Sequence, residues 1–412
     1  MKLIGPFTEI LTMDKLPAKG PLADDQLEVI PIGGLLIDDE KIVEVGTFAA
    51  LEQKAIHEEI PVERITTEMV AIPGMIDAHT HLCWAGSRAT DYAKRLSGKT
   101  YLEIAKEGGG IWSTVLKTRE ATMDQLCQTV RKHTDQLLSD GVTTTEVKSG
   151  YGLSVENELK MLWAIKRCDT EIDLIPTCLA AHILPIDFEG NTKEYLHYMV
   201  DELLPKVKEE GLSNRVDIFI EDSAFGVDEA RDYLLKAKAM GFDLVVHGDQ
   251  FSMGGSQLAV ELGAVSVDHM EASDDKSIRV LAQSDVVSTV LPGASLGLGI
   301  SFAPARKLID EGACLVIASD WNPGSAPNGD LLMQASLLGA YEKLTISETL
   351  AGITVRAAKA LKLNDRGVLK AGNLADIVAF PTNDYREIIY RQGKLKPVQV
   401  WKKGTLTPIR PR

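Results

Sequence analysis

The chain is poor in cysteine. Among 412 residues there are five, Cys83, Cys127, Cys168, Cys178 and Cys314, scattered and without a Cys-x-x-Cys pair. That excludes a disulfide framework and a thiolate zinc knuckle, and the odd count fits a reducing cytoplasm. Long apolar runs are missing too: no stretch approaches 18 uninterrupted apolar residues, so no membrane-spanning helix is expected. The N-terminal MKLIGPFTEILTMDK lacks the continuous apolar segment and small-residue cleavage site of a secretion signal. A soluble, cytoplasmic protein is expected. Positive charge is in deficit, 44 Lys and Arg against 59 Asp and Glu, for a net charge of -15. A field of that sign repels nucleic acid and anionic membranes, and neither is expected as a partner. It also disfavours a small anionic substrate unless the site carries local positive charge.

What remains is ordinary globular composition, 45% hydrophobic and 25% charged. Residues 1–70 read as short β segments, with a hairpin at Leu35–Ile37 and Lys41–Val45 across Asp38, Asp39 and Glu40, and a strand pair within Ile60–Val70. The C-terminal end reads alike, with a strand at Ala375–Phe380 and a hairpin from Pro397–Trp401 through Gly404. Together, 1–70 and 366–412 suggest one small β-sandwich domain built from both termini. Residues 71–365 alternate apolar strands with amphipathic helices. The strands are Met75–Asp77, Thr143–Lys148, Leu174–Leu179, Val216–Ile220, Leu244–His247, Ser266–Asp268, Val286–Leu291 and Cys314–Ser319. The helices include Met123–Ser139, Val155–Cys168, Tyr195–Glu210, Val227–Lys238 and Gly255–Leu262. Eight strands alternating with helices predict a (β/α)8, TIM-like barrel. A doubly wound sheet is disfavoured, because Gly108-Gly109-Gly110 follows a helical run rather than a strand and so is no dinucleotide motif.

Five of the eight histidines fall at or just after strand C-termini: His79, His81, His182, His247 and His269. Asp320 ends the last strand likewise. In a (β/α)8 barrel these positions converge on one mouth, where catalytic groups come from several strands. His79-Thr80-His81 places two imidazoles on one face of an extended segment, where they can share one metal ion. Burying so many ionisable groups at one mouth without a metal would be costly. His57, His133 and His197 sit in helical or polar contexts and are expected at the surface.

The segment PGMIDAHTHL closely resembles the metal-binding signature of the amidohydrolase superfamily. HTHLCWAGSR, GGGIWSTV, TTTEVKSGYGL, LAAHILP, VHGDQ, SVDHME and ASDWNPGSAP are similar, more narrowly, to the branch that opens the ring of 4-imidazolone-5-propanoate in the third step of histidine degradation. The resemblance implies a metal-dependent hydrolase barrel with one divalent or trivalent ion per subunit, zinc or iron, held by His79, His81, His247 and Asp320. It implies Asp320 and His269 as catalytic groups, the first also accepting a proton from water. It implies substrate contacts from Arg88, Tyr151, His182, Gln250, Asn322, Gly324 and Ser325, with Tyr101 a further lining candidate. Arg88 offers a bidentate fork to the propionate, the local answer to the acidic field. A homodimer is expected. The alternative within the superfamily is deamination or dechlorination of a heteroaromatic ring.

Some features depart from the pattern or stand beside it. Gln250 stands where some members carry glutamate, so it cannot serve as a base, although it can hydrogen-bond the ring. Leu291–Gly299 (LPGASLGLG) lacks bulky aromatics, predicting a wider pocket. Lys148 ends TTTEVK, where binuclear relatives carry a carboxylated lysine. With one metal implied, an ion pair with Glu146 or a substrate group is expected instead. Gly108-Gly109-Gly110 is expected in a loop over the site.

Overall fold

The computed structural model describes residues 1–99 and 101–408, with the side chains of Tyr101, Leu102 and Ala105 outside the described set. Eight parallel strands form its centre: β1 (Met75–Asp77), β2 (Val142–Lys148), β3 (Asp173–Ala181), β4 (Arg215–Phe219), β5 (Asp243–Gly248), β6 (Ser266–His269), β7 (Val287–Val290) and β8 (Cys314–Ile317). Each pairs in parallel with its sequence neighbours. Crossover helices cover the outside, so the strands are buried on both faces. β2 is buried at all seven positions.

The ring closes beyond the strand ends. Asp320 N donates to His79 O at 3.0 Å and His81 N to Trp321 O at 2.9 Å, a parallel bridge centred on Thr80 and Trp321. Below it, Ser319 N donates to a carboxylate oxygen of Asp77 at 3.0 Å. The first and last strands therefore meet through the backbone of the His-x-His and Asp320 segments.

Local signals place the helices. Thr122 caps Met123–Ser139 by accepting from Gln125 N, with the Gln125 side chain returning to the cap backbone. Ser154 caps Val155–Arg167 in the simpler way. The single helix expected over Tyr195–Glu210 is broken into Thr192–Tyr198, a wider turn at Met199–Leu203 and Leu204–Glu209. Pro205 is the reason, since it has no N–H to donate back and its ring displaces the preceding carbonyl. Among the described residues no helix is long and apolar enough to cross a membrane.

The two ends of the chain make one second sheet. Lys2–Leu11, Val29–Asp38, Lys41–Thr47 and Val70–Pro73 join Ile377–Phe380, Gln399–Lys402 and Thr405–Thr407, with Val62–Arg64 beside the first strand. The predicted hairpins are present. The pair expected within Ile60–Val70 is not: Val62–Arg64 and Val70–Pro73 each pair with Lys2–Leu11 instead of each other. A helix at Phe48–His57, absent from the sequence reading, packs Phe48, Leu51 and Ala55 against Leu3 and Leu36. The sheet curls on itself. Phe7 and Trp401 lie three strands apart, yet their rings meet edge to face at 5.8 Å, and Lys41 bridges to Leu374. The expected sandwich is thus a single folded sheet around Ile4, Phe7, Ile10, Ile37, Ile377 and Trp401.

Trp401 is fully buried and its indole N–H donates to Glu63 at 2.8 Å, joining the C-terminal end to the N-terminal one. Trp401→Ala should cost about 3–5 kcal/mol in equilibrium urea unfolding. A change under about 1 kcal/mol would mean that the two ends do not share a core.

Candidate active site

The β1, β5 and β8 ends bring His79, His81, His247 and Asp320 together. Ligand-type atoms of the three histidines all lie within 4.8 Å of one another. Asp320 Oδ1 is 3.5 Å from His79 Nε2 and 3.3 Å from His81 Nε2. All four side chains are buried. His79 Nε2 and His247 Nε2 are shielded from solvent and have no hydrogen-bond partner in the protein. Orphaned imidazole nitrogens beside a carboxylate suit zinc or iron. Edges of about 3.3 Å are also what a tetrahedron of about 2.0 Å metal–nitrogen bonds requires. The residues present therefore fit one metal ion.

Two of the remaining ring nitrogens face a carboxylate, whereas His81 Nδ1 is buried with no hydrogen-bond partner among the described residues. His79 Nδ1 is 2.7 Å from Asp268 Oδ2, and His247 Nδ1 is 3.0 Å from Asp217 Oδ2. Such carboxylate–histidine pairs fix the tautomer and aim the other nitrogen. Burial keeps His247 far below its ordinary pKa, against the pull of Asp217. For His79, burial and Lys148 oppose a proton but Asp268 and Asp320 outweigh them, raising it to about 9. A metal cation would displace that proton, as binding to histidine generally does.

Beneath the histidines lies a charged layer. Lys148 Nζ sits 2.7 Å from Glu146 Oε2, 2.7 Å from Asp217 Oδ2 and 3.6 Å from Asp268 Oδ2. Burial opposes its charge, yet Asp217, Glu146 and Asp268 raise its pKa above the ordinary lysine value. Carboxylation needs the neutral amine, and three carboxylates around Lys148 Nζ favour the ammonium form instead. The expected pair with Glu146 is present, and two further partners join it.

The rim carries the other candidates. His182 Nδ1 donates to Gly150 O at 2.9 Å and its ring stacks on His81 at 5.7 Å, with Tyr151 5.9 Å from His81. Burial, then His81, lowers His182 to about 3, leaving Nε2 unprotonated. Gly150 has φ +107 and its added Cβ would lie 2.9 Å from Leu179 O, so the first glycine of SGYG is required by the backbone. His269 lies 5.4 Å from His247 ring to ring, and its Nδ1 is 3.4 Å from Glu271 Oε2, itself steadied by Ser295. Gln250 is buried just after β5. Arg88 donates from Nε to Asp91 at 2.9 Å, and a Cβ on Gly324 would lie 2.6 Å from its Nη1. Arg88 and the Asn322-Pro323-Gly324-Ser325 turn therefore touch. Asn322 builds that turn: its amide N–H groups donate to Asp320 O and Ser325 Oγ, and its carbonyl oxygen accepts from Gly324 N and Ser325 N. Its polar atoms are committed to the protein, which leaves Ser325 and the turn backbone to meet a ligand.

The sequence profile of the Amidohydrolase family matches residues 70–407. Imidazolonepropionase from Bacillus cytotoxicus is 40% identical over 416 residues, covering 99% of this chain and 97% of that protein. Its counterpart from Bacillus cereus strain G9842 is 40% identical over 410 residues, covering 98% and 95%. This chain belongs to the amidohydrolase family, in its imidazolonepropionase branch. Solved structures share the fold at low identity. The zinc-complexed atrazine chlorohydrolase TrzN of Arthrobacter aurescens TC1 superposes with TM-score 0.69 at 17% identity, covering 98% of this chain and 95% of that one. A zinc-bound adenosine deaminase of Xanthomonas campestris gives 0.71 at 16%, covering 98% and 92%.

Sequence reasoning misjudged some parts of this amidohydrolase. His133 is no surface residue: its ring stacks on Trp84 at 4.3 Å, approaches Trp321 at 4.7 Å and bonds Leu82 O at 3.0 Å, bracing the chain after His81. Burial lowers it to about 4. Leu291–Gly299 is mostly a helix, Pro292–Leu298, and its small residues serve close packing. A Cβ on Gly297 would lie 1.6 Å from Ser325 O, and one on Gly293 2.4 Å from Ser319 O. The predicted widening has no basis there. Gly110 donates to the same Asp91 oxygen that holds Arg88, so the triple glycine is a turn tied to the rim between two helices. Glu271, Asp217, Asp268 and Arg95, which donates to Gly324 O at 3.1 Å, were missed. The two aspartates alone gave a signal, standing at or near strand ends. Tyr101's side chain lies outside the described residues.

Asp268→Asn, which loosens the hold on His79, should weaken zinc retention about 10–100-fold. Competition with a chromophoric chelator measures it, and an unchanged affinity would detach Asp268 from the metal site.

Proposed function

We propose that this chain hydrolyses the cyclic amide C–N bond of 4-imidazolone-5-propanoate to N-formimidoyl-L-glutamate, the third step of histidine degradation. The observation that carries the reading is identity of 40% over nearly the whole length to proteins named imidazolonepropionase. The converging His79, His81, His247 and Asp320 support it chemically, as does an arginine beside the turn at their rim.

In this reading His79, His81, His247 and Asp320 hold one zinc or iron ion. When bound, such an ion supplies a Lewis acid and lowers the pKa of water towards neutrality. The protein's own groups do the rest. Arg88 binds the propionate in two charge-assisted hydrogen bonds and is itself held by Asp91. Tyr151, His182 and Gln250 line the ring, and Ser325 with the Gly324 backbone meets the open product. Water attacks the ring carbonyl carbon and its proton passes to the Asp320 carboxylate. That carboxylate stays well below the ordinary range: burial opposes ionisation, and bonds from His79 and His81 more than offset it. His269, oriented by Glu271, hydrogen-bonds the oxygen as charge develops there. The proton from Asp320 then reaches the departing ring nitrogen as the C–N bond breaks.

Deamination or dechlorination of a neutral heteroaromatic ring gives no work to Arg88. The chlorohydrolase and deaminase likenesses, at 16–17% identity, speak for the fold alone.

Zinc-loaded protein should consume imidazolonepropionate, followed by its ultraviolet absorbance, and leave aminotriazines and adenosine untouched. The opposite pattern overturns the assignment. Arg88→Ala should lower kcat/KM about 10–100-fold, chiefly through KM, the worth of about 1.5–3 kcal/mol of charged hydrogen bonding. His269→Ala should instead lower kcat about 10²–10⁴-fold with zinc content unchanged.

A further inference from the structure

Five ionisable side chains inside the barrel face one another under the metal ligands, and the hydrolytic reading uses only part of them. Glu146 and Lys148 point inward from β2, Asp217 from β4 and Asp268 from β6. All four are buried, with side-chain exposures of 0–1%. Arg215 closes the group from below, its Nε 3.3 Å from Glu146 Oε1.

We propose that Glu146, Asp217 and Asp268 form a second cation site, that Lys148 fills it with its own ammonium group, and that this built-in cation limits the chain to one metal ion. Three observations carry this. The Lys148 nitrogen lies within 3.6 Å of an oxygen of each carboxylate, at the centre of the cradle rather than in one pair. Ligand-type atoms of His79, Glu146 and Asp268 lie within 4.8 Å of one another, so a second cluster of metal-binding type shares His79 with the first. Asp268 Oδ1 is shut off from solvent and accepts no hydrogen bond from the described residues, while Lys148 and His79 both face Oδ2.

The charges explain why the place must be filled. Three buried carboxylates face two cations, Lys148 and Arg215. Without Lys148, Arg215 alone would balance them, and it reaches only Glu146. A lysine suits this place because its compact ammonium hydrogen-bonds Asp217 at 2.7 Å while its charge faces Glu146 and Asp268 at 2.7 and 3.6 Å. Being part of the chain, it binds without loss of a free ligand's entropy and cannot be exchanged. A hard divalent cation with oxygen ligands is the chemical class that would take its place.

This inference rests on the reading of His79, His81, His247 and Asp320 as the metal site, and one experiment separates the two. Wild type and Lys148→Ala are freed of metal, given a tenfold excess of zinc chloride, desalted and analysed for zinc per chain, with Tm recorded before and after. Wild type should hold one zinc. Lys148→Ala should hold two, gain more in Tm from zinc than wild type does, and lose the second ion to added ethylammonium chloride but not to the bulkier tetramethylammonium. One zinc in wild type and one in the variant, with no response to ethylammonium, overturns the cradle and leaves the first site standing. No zinc in wild type removes both. If Lys148→Ala accumulates only unfolded, the pair Lys148→Met and Glu146→Gln decides, since it deletes one charge of each sign. Recovery of a folded chain with one zinc supports a cation role, and a second failure to fold overturns it.

Discussion

Everything at the mouth depends on how the barrel closes. β1 and β8 are short, and the hydrogen bonds that join them lie beyond their ends, between His79 and Asp320 and between His81 and Trp321. The seam that completes the ring is also the segment that carries three of the four proposed metal ligands. A ligand on a loop could drift by an ångström; ligands on a closing ladder cannot move without opening the barrel. Further supports converge there. Asp77 accepts from Ser319, Lys148 N donates to Thr80 O, and His133 wedges between Trp84 and Trp321. One face of the terminal sheet has its own core, while Leu11, Val70, Ile72, Val378, Phe380 and Val400 join the main cluster of the barrel, and Arg366 and Lys402 both reach Asp173 at the barrel floor.

Much of this was legible in the sequence because it is written locally. Strand and helix alternate in runs whose apolar periods differ, and a barrel converts position along a strand into position in space. His79, His81, His182, His247, His269 and Asp320 could therefore be assembled without a structure. What stayed hidden depends on which distant side chains meet. His133 reads as an ordinary polar helix position, and only the return of Trp321 from the last strand buries it. Phe48–His57 was lost among strands because its apolar residues pack on a sheet that forms elsewhere. The glycines of Leu291–Gly299 look like missing bulk until the backbone at Ser325 is seen to press against them. Glu271 follows His269 by two residues, yet its partnership depends on the turn they share.

The electrostatic question raised by the net charge of -15 resolves by layers. The chain is acidic overall, but the rim next to Gly324 carries Arg88 and Arg95, and burial, then repulsion from Arg88, lowers the pKa of Arg95. Below the rim the field reverses again, with Asp217, Asp268 and Glu146 around Lys148. An anion arriving at the mouth meets arginine first and carboxylates only deeper. A cation among the histidines is favoured by Asp320 and, through the imidazoles, by Asp217 and Asp268. Opposite charges are thus sorted by depth over a few ångströms, where burial weakens the screening that water would provide.

The backbone records the cost of that arrangement. His269, Met270 and Asp320 have φ of 95°, 69° and 51°, and Asp249, beside Gln250, has 57°. None is glycine, and such conformations persist only where the surroundings over-determine them. Here the surroundings can be named. Asp249 is held by Gly254 N, Ser256 N and Ser273 Oγ, and Asp320 by the closing ladder and the Asn322 turn. The strain falls where three strands end and aims side chains inward at the point where a relaxed chain would carry them past. A glycine at His269 or Asp320 would relieve the backbone and delete the group the strain positions. At His269 and Asp320 strain and chemistry coincide, because turning these strand-end side chains into the mouth requires a dihedral that an unconstrained residue would leave.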